Sequence, residues 1–269
     1  MMRAYVRNAL SRHPILDGLF RRQVWSRIHF PETELRVLDA LPRGSIDTAI
    51  DIGAALGSYA WVLGRKARQV IAFEPGEIHG RYMEIASRRT NVTLIRAAVG
   101  AHSGRVYMYT PGDDNNARHM ATLSRANSVV NVRNVQIRRV DVVSLDDVVP
   151  RCISTSAHVD VIKIDVEGFE NAVIDGAANT IGGHFPLVIA EIEVRHNPEY
   201  QHVFQVMRKY GYTALYWLDG AYRVLDGDEI TALQRIKDLE KRLAGHSAKD
   251  NRYINNFVFQ HPKSRIRFA

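Results

Sequence analysis

Four short stretches of this chain carry side chains whose types and spacing can do chemistry. The first is D-I-G-A-A-L-G at 51–57. Its D-x-G-x-x-x-G spacing is not the G-x-G-x-x-G of dinucleotide-binding turns. Gly53 and Gly57 let the backbone turn tightly and come close to a ligand where a Cβ would collide. A helix opening at Gly57 aims amide N–H groups at the same place, which suits a carboxylate. Asp51, at a strand end, can take an ammonium group. A loop offering both partners suits an amino-acid zwitterion better than a pyrophosphate. The second stretch, F-E-P at 73–75, puts Glu74 seventeen residues after Gly57. An acid at the end of a second strand can accept both hydroxyls of a ribose. An amino-acid end plus a ribose describes S-adenosylmethionine.

The third stretch is K-I-D-V-E-G at 163–168. The two-residue period of a strand puts Lys163, Asp165 and Glu167 on one side. Three charges in a buried strand are costly unless they pair or reach a ligand rim. Asp165 and Glu167 are therefore placed at the rim, with Gly168 allowing the turn. The structural alternative is an internal Lys163–Asp165 ion pair with Glu167 at a helix N-terminus. The fourth stretch, E-I-E-V-R-H at 191–196, puts His196 at or just past the same rim. A histidine near a carboxylate is a candidate general base for a hydroxyl proton. His196 and Glu193 are the first candidates, with Glu167 in reserve. His196 as a plain surface residue is the alternative. Asp165, Glu193 and His196 are also an oxygen-rich set of the kind that suits Mg²⁺. One histidine among scattered acids is common in rim loops, and no metal is expected.

These residues sit at the ends of a rhythm. Apolar runs at 47–53, 69–74, 92–99, 159–166 and 187–194 alternate with helix-like stretches at 57–66, 77–89, 168–181 and 199–209. Continuous runs of this kind predict a parallel sheet covered on both faces, a Rossmann-like doubly wound α/β fold. Right-handed crossovers then bring the strand carboxyl ends to one ligand-binding rim. The end of the chain breaks the pattern. Residues 212–217 and 222–225 flank Asp219-Gly220 as a hairpin. A helix over 229–244 follows, with Asp226 or Asp228 as cap and Gly245 at its end. Residues 253–260 form a last, antiparallel strand. The segment 100–158 is longer than a plain crossover and carries a polar loop at 111–116, as expected of a substrate-side insertion.

A chain of 269 residues, 46% hydrophobic and 24% charged, suits one α/β domain with extensions and excludes disorder, collagen and repeat arrays. The net charge of +7 is concentrated at the start, where residues 1–30 hold six arginines against one acid, Asp17. Residues 1–44 read as a basic helical extension and 45–269 as the main domain. Leu16, Leu19, Phe20, Val24 and Ile28 make one apolar stripe. That helix either packs across the main domain or docks on a membrane surface or partner. No basic stripe runs over the main domain, so no nucleic acid partner is expected. Ile236, Leu239 and Leu243 either pack on the sheet or pair two copies, so oligomeric state stays open. Cys152 is the only cysteine, which rules out an internal disulfide and a cysteine-based zinc site. With no signal-peptide core and no run of ~18 apolar residues, the expected location is cytoplasmic, with peripheral contact at the inner membrane face as an open reading.

The quoted stretches resemble those of FkbM-type methyltransferases, class I enzymes that use S-adenosylmethionine. The resemblance rests on D-I-G-A-x-x-G (51–57), F-E-P (73–75), S-L-D-D (144–147) and I-K-I-D-V-E-G-F-E (162–170), with V-I-A-E-I-E-V-R-H (188–196) similar to a run in part of the family. It implies that Asp51, Gly53 and Gly57 bind the methionine moiety, that Glu74 holds the ribose, and that Asp165 sits beside the sulfonium and the substrate. Ala54, Pro75 and Ala98 complete the implied cofactor set. Two positions depart from the family pattern. Ala55 stands where the family's G-A-N-x-G loop has asparagine, and Arg96–Gly100 lacks the acid that often neighbours the adenine, leaving Ala98 and Val99 only backbone or apolar contacts. The implied activity is O-methylation of a sugar, glycolipid or secondary-metabolite hydroxyl. Two other readings stand beside it. An NAD(P)-dependent oxidoreductase also places an acid about 20 residues beyond its glycine turn, but the G-x-G-x-x-G is missing. A non-catalytic partner-binding protein on a degenerate fold sits poorly with intact Asp51, Glu74 and Asp165.

Overall fold

Period-2 alternation decides which side chains meet in the centre of this protein. In the first strand Ile50 and Ile52 face one side and Ala49 and Asp51 the other, and both sides are buried. The computed structural model describes residues 32–76, 91–111, 121–123, 134–227, 229–235 and 253–268. The expected apolar stripe at 16–28, the helix at 77–89, most of the polar loop at 111–116 and everything proposed for 236–245 lie outside them.

In chain order the elements are α1 (Thr33–Ala40), β1 (Ile46–Ile52), α2 (Ser58–Lys66), β2 (Ala67–Phe73), β3 (Val92–Ile95), β4 (Ala98–Val99), β5 (Gly104–Pro111), β6 (Val135–Val143), α3 (Leu145–Cys152), β7 (Val159–Ile164), α4 (Glu170–Asp175), α5 (Ala178–His184), β8 (Leu187–Glu191), α6 (Gln201–Lys209), β9 (Thr213–Leu218), β10 (Ala221–Val224), α7 (Ile230–Leu233) and β11 (Asn256–Gln260). The main sheet runs β3-β2-β1-β7-β8-β11-β9-β10. It is parallel from β3 to β8, and β11 lies antiparallel between β8 and β9. This is the doubly wound α/β fold with its antiparallel last strand. One face packs Ile50, Ile52, Ile162 and Ile164 against Val149, Val173, Ile181 and Met207 from α3 to α6. The other packs Ala49, Val70, Val161 and Ile189 under Leu35 and Leu38 of α1 and Val62 and Leu63 of α2. Each fully buried aliphatic side chain contributes about 1.5–3 kcal/mol. Among the described residues no helix is long and apolar enough to cross a membrane.

Four sequence expectations need correction. The run 92–99 is two strands, because β3 is the edge strand of the main sheet among the described residues and the chain bends at Arg96-Ala97. Ala98 and Val99 then pair with Val142 and Val143 in a separate three-stranded sheet, β4-β6-β5. The stretch 168–181 is two helices, since Asp146 captures the N–H groups of Asn179 and Thr180 at 2.9 Å each and restarts the helix there. The run 187–194 leaves the sheet after Glu191, where the pairing with β11 ends. The helix expected over 229–244 stops at Leu233. Gln234 folds back, donating to Ile192 and Ile254 carbonyls at 2.6 and 2.9 Å and accepting from Val194 N–H at 2.8 Å.

Candidate active site

The chain leaves β1 toward β2 and β3 on one side, while β7 and β8 lie on the other. The crevice at such a reversal of strand order is where open α/β sheets bind ligands. Here it lies between the carboxyl ends of β1 and β7, and the backbones meet closely. Gly53 has φ +78°, and a Cβ on it would lie 1.8 Å from the Asp165 carbonyl oxygen. Only glycine fits there, so the turn after β1 and the start of the Asp165 loop share one wall.

Glu74 follows β2 directly. Its carboxylate is 7% exposed and accepts the Ala55 N–H at 2.8 Å and the Gly76 N–H at 2.7 Å. Burial raises its pKa to about 6 in spite of those two donors. An ionised carboxylate offers about four lone-pair sites, so two are left for further donors. Ala55 itself has φ +45°, a left-handed conformation that costs a residue with a Cβ. The bond to Glu74 helps to hold it there.

Asp51 and Lys163 are register partners on adjacent strands and face the α1–α2 side. Lys163 is 1% exposed. Its Nζ lies 3.9 Å from Asp165 Oδ2, 3.4 Å from Asn256 Oδ1 and 4.9 Å from the centre of the Tyr59 ring. Burial works to lower its pKa, but the charges of Asp165, Glu191, Glu32 and Asp51 win and hold it above the ordinary lysine value. Asp51 is the reverse case. Burial lifts it to about 7 although Lys163 and the Ala60 N–H favour the charged form. Its Oδ2 has no hydrogen-bond partner among the described residues. Burial also raises Asp165, only partly offset by Lys163.

One cavity on the rim is lined by Gly53, Glu74, Pro75, Ala98, Asp165 and Glu167, and also by Glu191. Five of the eight residues expected to hold a cofactor thus share it. Asp51, Ala54 and Gly57 do not line it; Asp51 faces Lys163, Ala54 packs under α1 and α2, and Gly57 starts α2. Of the three candidate bases only Glu167 lines the cavity. His196 is 1% exposed and stands behind Glu167, with Nδ1 2.5 Å from Glu167 Oε2. That contact has the distance of an ion pair without hydrogen-bond alignment, since neither ring nitrogen has a hydrogen-bond partner among the described residues. The expected place on the rim is wrong because the strand period ends at Glu191. The N–H groups of His196 and Asn197 bond back to the Glu193 carbonyl at 3.0 and 2.9 Å, and the turn carries the ring inward. Glu193 is taken up by Arg195, by Tyr253 Oη at 3.0 Å and by Asn255 Nδ2 at 3.1 Å. Burial would raise its pKa, but the Arg195 bond and charge hold it below the usual value. It is poorly placed as a base.

Sequence reasoning missed Glu191, Met108 and Thr122 as lining residues. Glu191 ends β8, and burial, with Asp165 beside it, pushes its carboxyl well above the usual range. Met108 belongs to β5 of the small sheet, and Thr122 is bridged to that strand, with Tyr109 and Thr122 exchanging backbone bonds at 2.8 and 2.9 Å. Only the length of the segment 100–158 signalled them. Among the described residues no three of His, Cys, Asp and Glu converge so as to hold a metal ion, which leaves the Asp165–Glu193–His196 set without support. The S-L-D-D motif is scaffold. Ser144 caps α3 by accepting the Asp147 N–H at 3.1 Å, and Asp146 ties α3 to α5.

A sequence model described as the methyltransferase FkbM domain matches residues 51–214. No curated protein matches. A solved methyltransferase FkbM from Methylobacillus flagellatus KT is 17% identical, with a TM-score of 0.48, over 87% of this chain and 47% of that one. This chain therefore spans about half the length of that protein. A precorrin-8w decarboxylase from Methanobacterium thermoautotrophicum is 12% identical, with a TM-score of 0.39, over 87% of this chain and 94% of its own. A TehB-like SAM-dependent methyltransferase from Corynebacterium glutamicum is also 12% identical, with a TM-score of 0.39, over 79% and 96%. With more than half of its length matched by the family's own sequence model, this chain belongs to the FkbM methyltransferase family.

Proposed function

We propose that this protein uses S-adenosylmethionine to methylate a hydroxyl group on a sugar, glycolipid or secondary-metabolite acceptor. The observation that carries the reading is the sign of the cavity. Glu74, Asp165, Glu167 and Glu191 line it, and no lysine or arginine does so among the described residues. A sulfonium with its ammonium group is favoured in such a site, whereas the pyrophosphate of NAD(P) meets four carboxyls and is repelled. The residues fit the cofactor. Glu74 would offer its two remaining acceptor sites to the ribose hydroxyls, Pro75 and Ala98 apolar contact to a base, and Asp165 a negative charge to the cationic centre.

Bound there, S-adenosylmethionine supplies an electrophilic methyl group on a good leaving group. The protein then has to align the acceptor and remove its proton. Glu167, on the cavity wall, takes the hydroxyl proton. His196 stands behind it as a positioning residue and touches no substrate. Lys163 keeps a positive charge beside Asp165 and so favours the ionised carboxylate facing the cofactor.

The test is calorimetric titration with S-adenosylmethionine and, separately, NADH, using Glu74→Ala as control. Formation of S-adenosylhomocysteine is then followed on a panel of methyl glycosides, glycolipids and hydroxylated aromatics. Saturable S-adenosylmethionine binding, weakened about 10–100-fold by loss of hydrogen bonds to a charged group, is expected. Binding of NADH alone overturns the proposal.

A further inference from the structure

Glu170 ends the most specific motif of the sequence, yet it does not line the cavity and the reaction makes no use of it. It is 1% exposed, an unusual place for a carboxylate with no basic partner among the described residues. Burial raises its pKa to about 7, while the N–H of Gly168 and the amide of Asn197 favour the charged form. Its Oε1 accepts the Gly168 N–H at 2.7 Å, and its Oε2 accepts Asn197 Nδ2 at 2.8 Å. Asn197 is 4% exposed and belongs to the loop after β8. Its amide also exchanges contacts with Asn171, at 3.2 and 3.4 Å, and Asn171 donates to the Glu199 carbonyl at 3.1 Å. One buried carboxylate thus joins the turn after β7 to the loop after β8.

Between those anchors lies Glu167, with φ +49°. A residue with a Cβ stays in that region only when its surroundings impose it. Three contacts do so here. Thr122 Oγ1 donates to the Glu167 carbonyl at 2.6 Å. Gly168, next in sequence, is pressed so close to the His196 backbone that a Cβ would lie 2.3 Å from its carbonyl oxygen. Its N–H is held by Glu170. Asp165 needs none of this, since its own N–H is fixed to the Ile52 carbonyl at 2.9 Å.

We infer that the buried Glu170–Asn197 pair is a latch that positions Glu167 on the cavity wall, setting turnover without contributing to cofactor affinity. The inference rests on the proposed role of Glu167. Neither Glu170 nor Asn197 touches substrate; both are positioning residues.

A reversal of donor and acceptor tests it. Asn197→Asp sets a second carboxylate against Glu170 where a donor stood. Adding Glu170→Gln restores the bond in the opposite sense. The introduced glutamine keeps its amide oxygen for the Gly168 N–H and gives its NH₂ to the introduced aspartate. Three quantities are measured: hydrogen exchange of the Gly168 amide by NMR, S-adenosylmethionine affinity by calorimetry, and turnover on the panel member that is methylated. Asn197→Asp is expected to speed Gly168 exchange and slow turnover at least tenfold each, with affinity within threefold of wild type. The double variant should bring exchange and turnover back to within threefold. A double variant no better than Asn197→Asp overturns the latch, as does an Asn197→Asp protein indistinguishable from wild type. Should Asn197→Asp fail to fold, the double variant decides, because it must fold with Gly168 protected; its failure to fold also overturns the inference. If wild type binds no S-adenosylmethionine, the cofactor reading falls while Gly168 exchange still decides the latch.

Discussion

Gly53→Ala tests whether the crevice between β1 and β7 is built as described, because its cost can be worked out from two separate terms. The first is conformational. Gly53 has φ +78°, and a left-handed alanine costs roughly 1–2 kcal/mol. The second is steric. The new Cβ would lie 1.8 Å from the Asp165 carbonyl oxygen, where contacts under 3.0 Å are essentially never seen, so the two strand ends must part by about 1.2 Å. That movement strains a packed core, at about 1–3 kcal/mol, and breaks the 2.9 Å bond from Asp165 N–H to the Ile52 carbonyl, at about 1 kcal/mol. The sum is about 3–6 kcal/mol. Gly220→Ala isolates the first term, because Gly220 has φ +87° in the hairpin turn and nothing within 4 Å of its Cβ position. It should cost only about 1–2 kcal/mol. Urea unfolding of wild type and both variants, read at equal slope, gives the two losses directly. S-adenosylmethionine affinity should fall in Gly53→Ala and hold in Gly220→Ala. A Gly53→Ala loss within about 0.5 kcal/mol of the Gly220→Ala loss, or an unaltered affinity, refutes the argument.

Three further outcomes follow from the charges and caps. Lys163→Met leaves Asp51, Asp165 and Glu191 without their buried counter-ion and should destabilise by about 3–5 kcal/mol at pH 8. Acids whose folded pKa is raised make the folded state bind protons more tightly, so that loss should shrink as pH falls through 7 toward 5.5; a loss independent of pH in thermal unfolding counts against the cluster. S-adenosylmethionine binding at pH 6.5 should release protons, because a bound cation favours the ionised forms of Glu74 (about 6) and of Asp165, whose pKa burial also raises, and both line the cavity. Calorimetric heats should therefore differ between phosphate and Tris at pH 6.5 and converge at pH 8.5, and equal heats at both would speak against an acidic cofactor site. Asp146→Ala removes three hydrogen bonds to α5 and should cost about 1–3 kcal/mol with cofactor affinity unchanged, so a drop in affinity would give S-L-D-D a role beyond scaffold.

Legibility in the sequence followed the regularity of the backbone. Gly53, Glu74 and Asp165 stand at the ends of regular parallel strands, where alternation and the turn residues fix both position and direction, and all three line the cavity. His196 stands five residues past the last residue of β8, and a period carried through a turn places a side chain on the wrong face. The register between strands was equally hidden. Alternation gives the face that Lys163 occupies, but only the fold sets Asp51 beside it. Met108 and Thr122 come from a segment whose single signal was its excess length.

Charge shows most sharply what a sequence-wide quantity leaves out. The chain carries +7, of which the arginine-rich start supplies most. The cavity has the opposite sign, because four acids at or just past the ends of three strands, β2, β7 and β8, line it. Burial then raises Glu74, Asp165 and Glu191 above their ordinary values, so these acids are held at a cost that a bound cation relieves. Under the proposed function, local sign set by topology favours a sulfonium over a pyrophosphate, whatever the net charge of the chain.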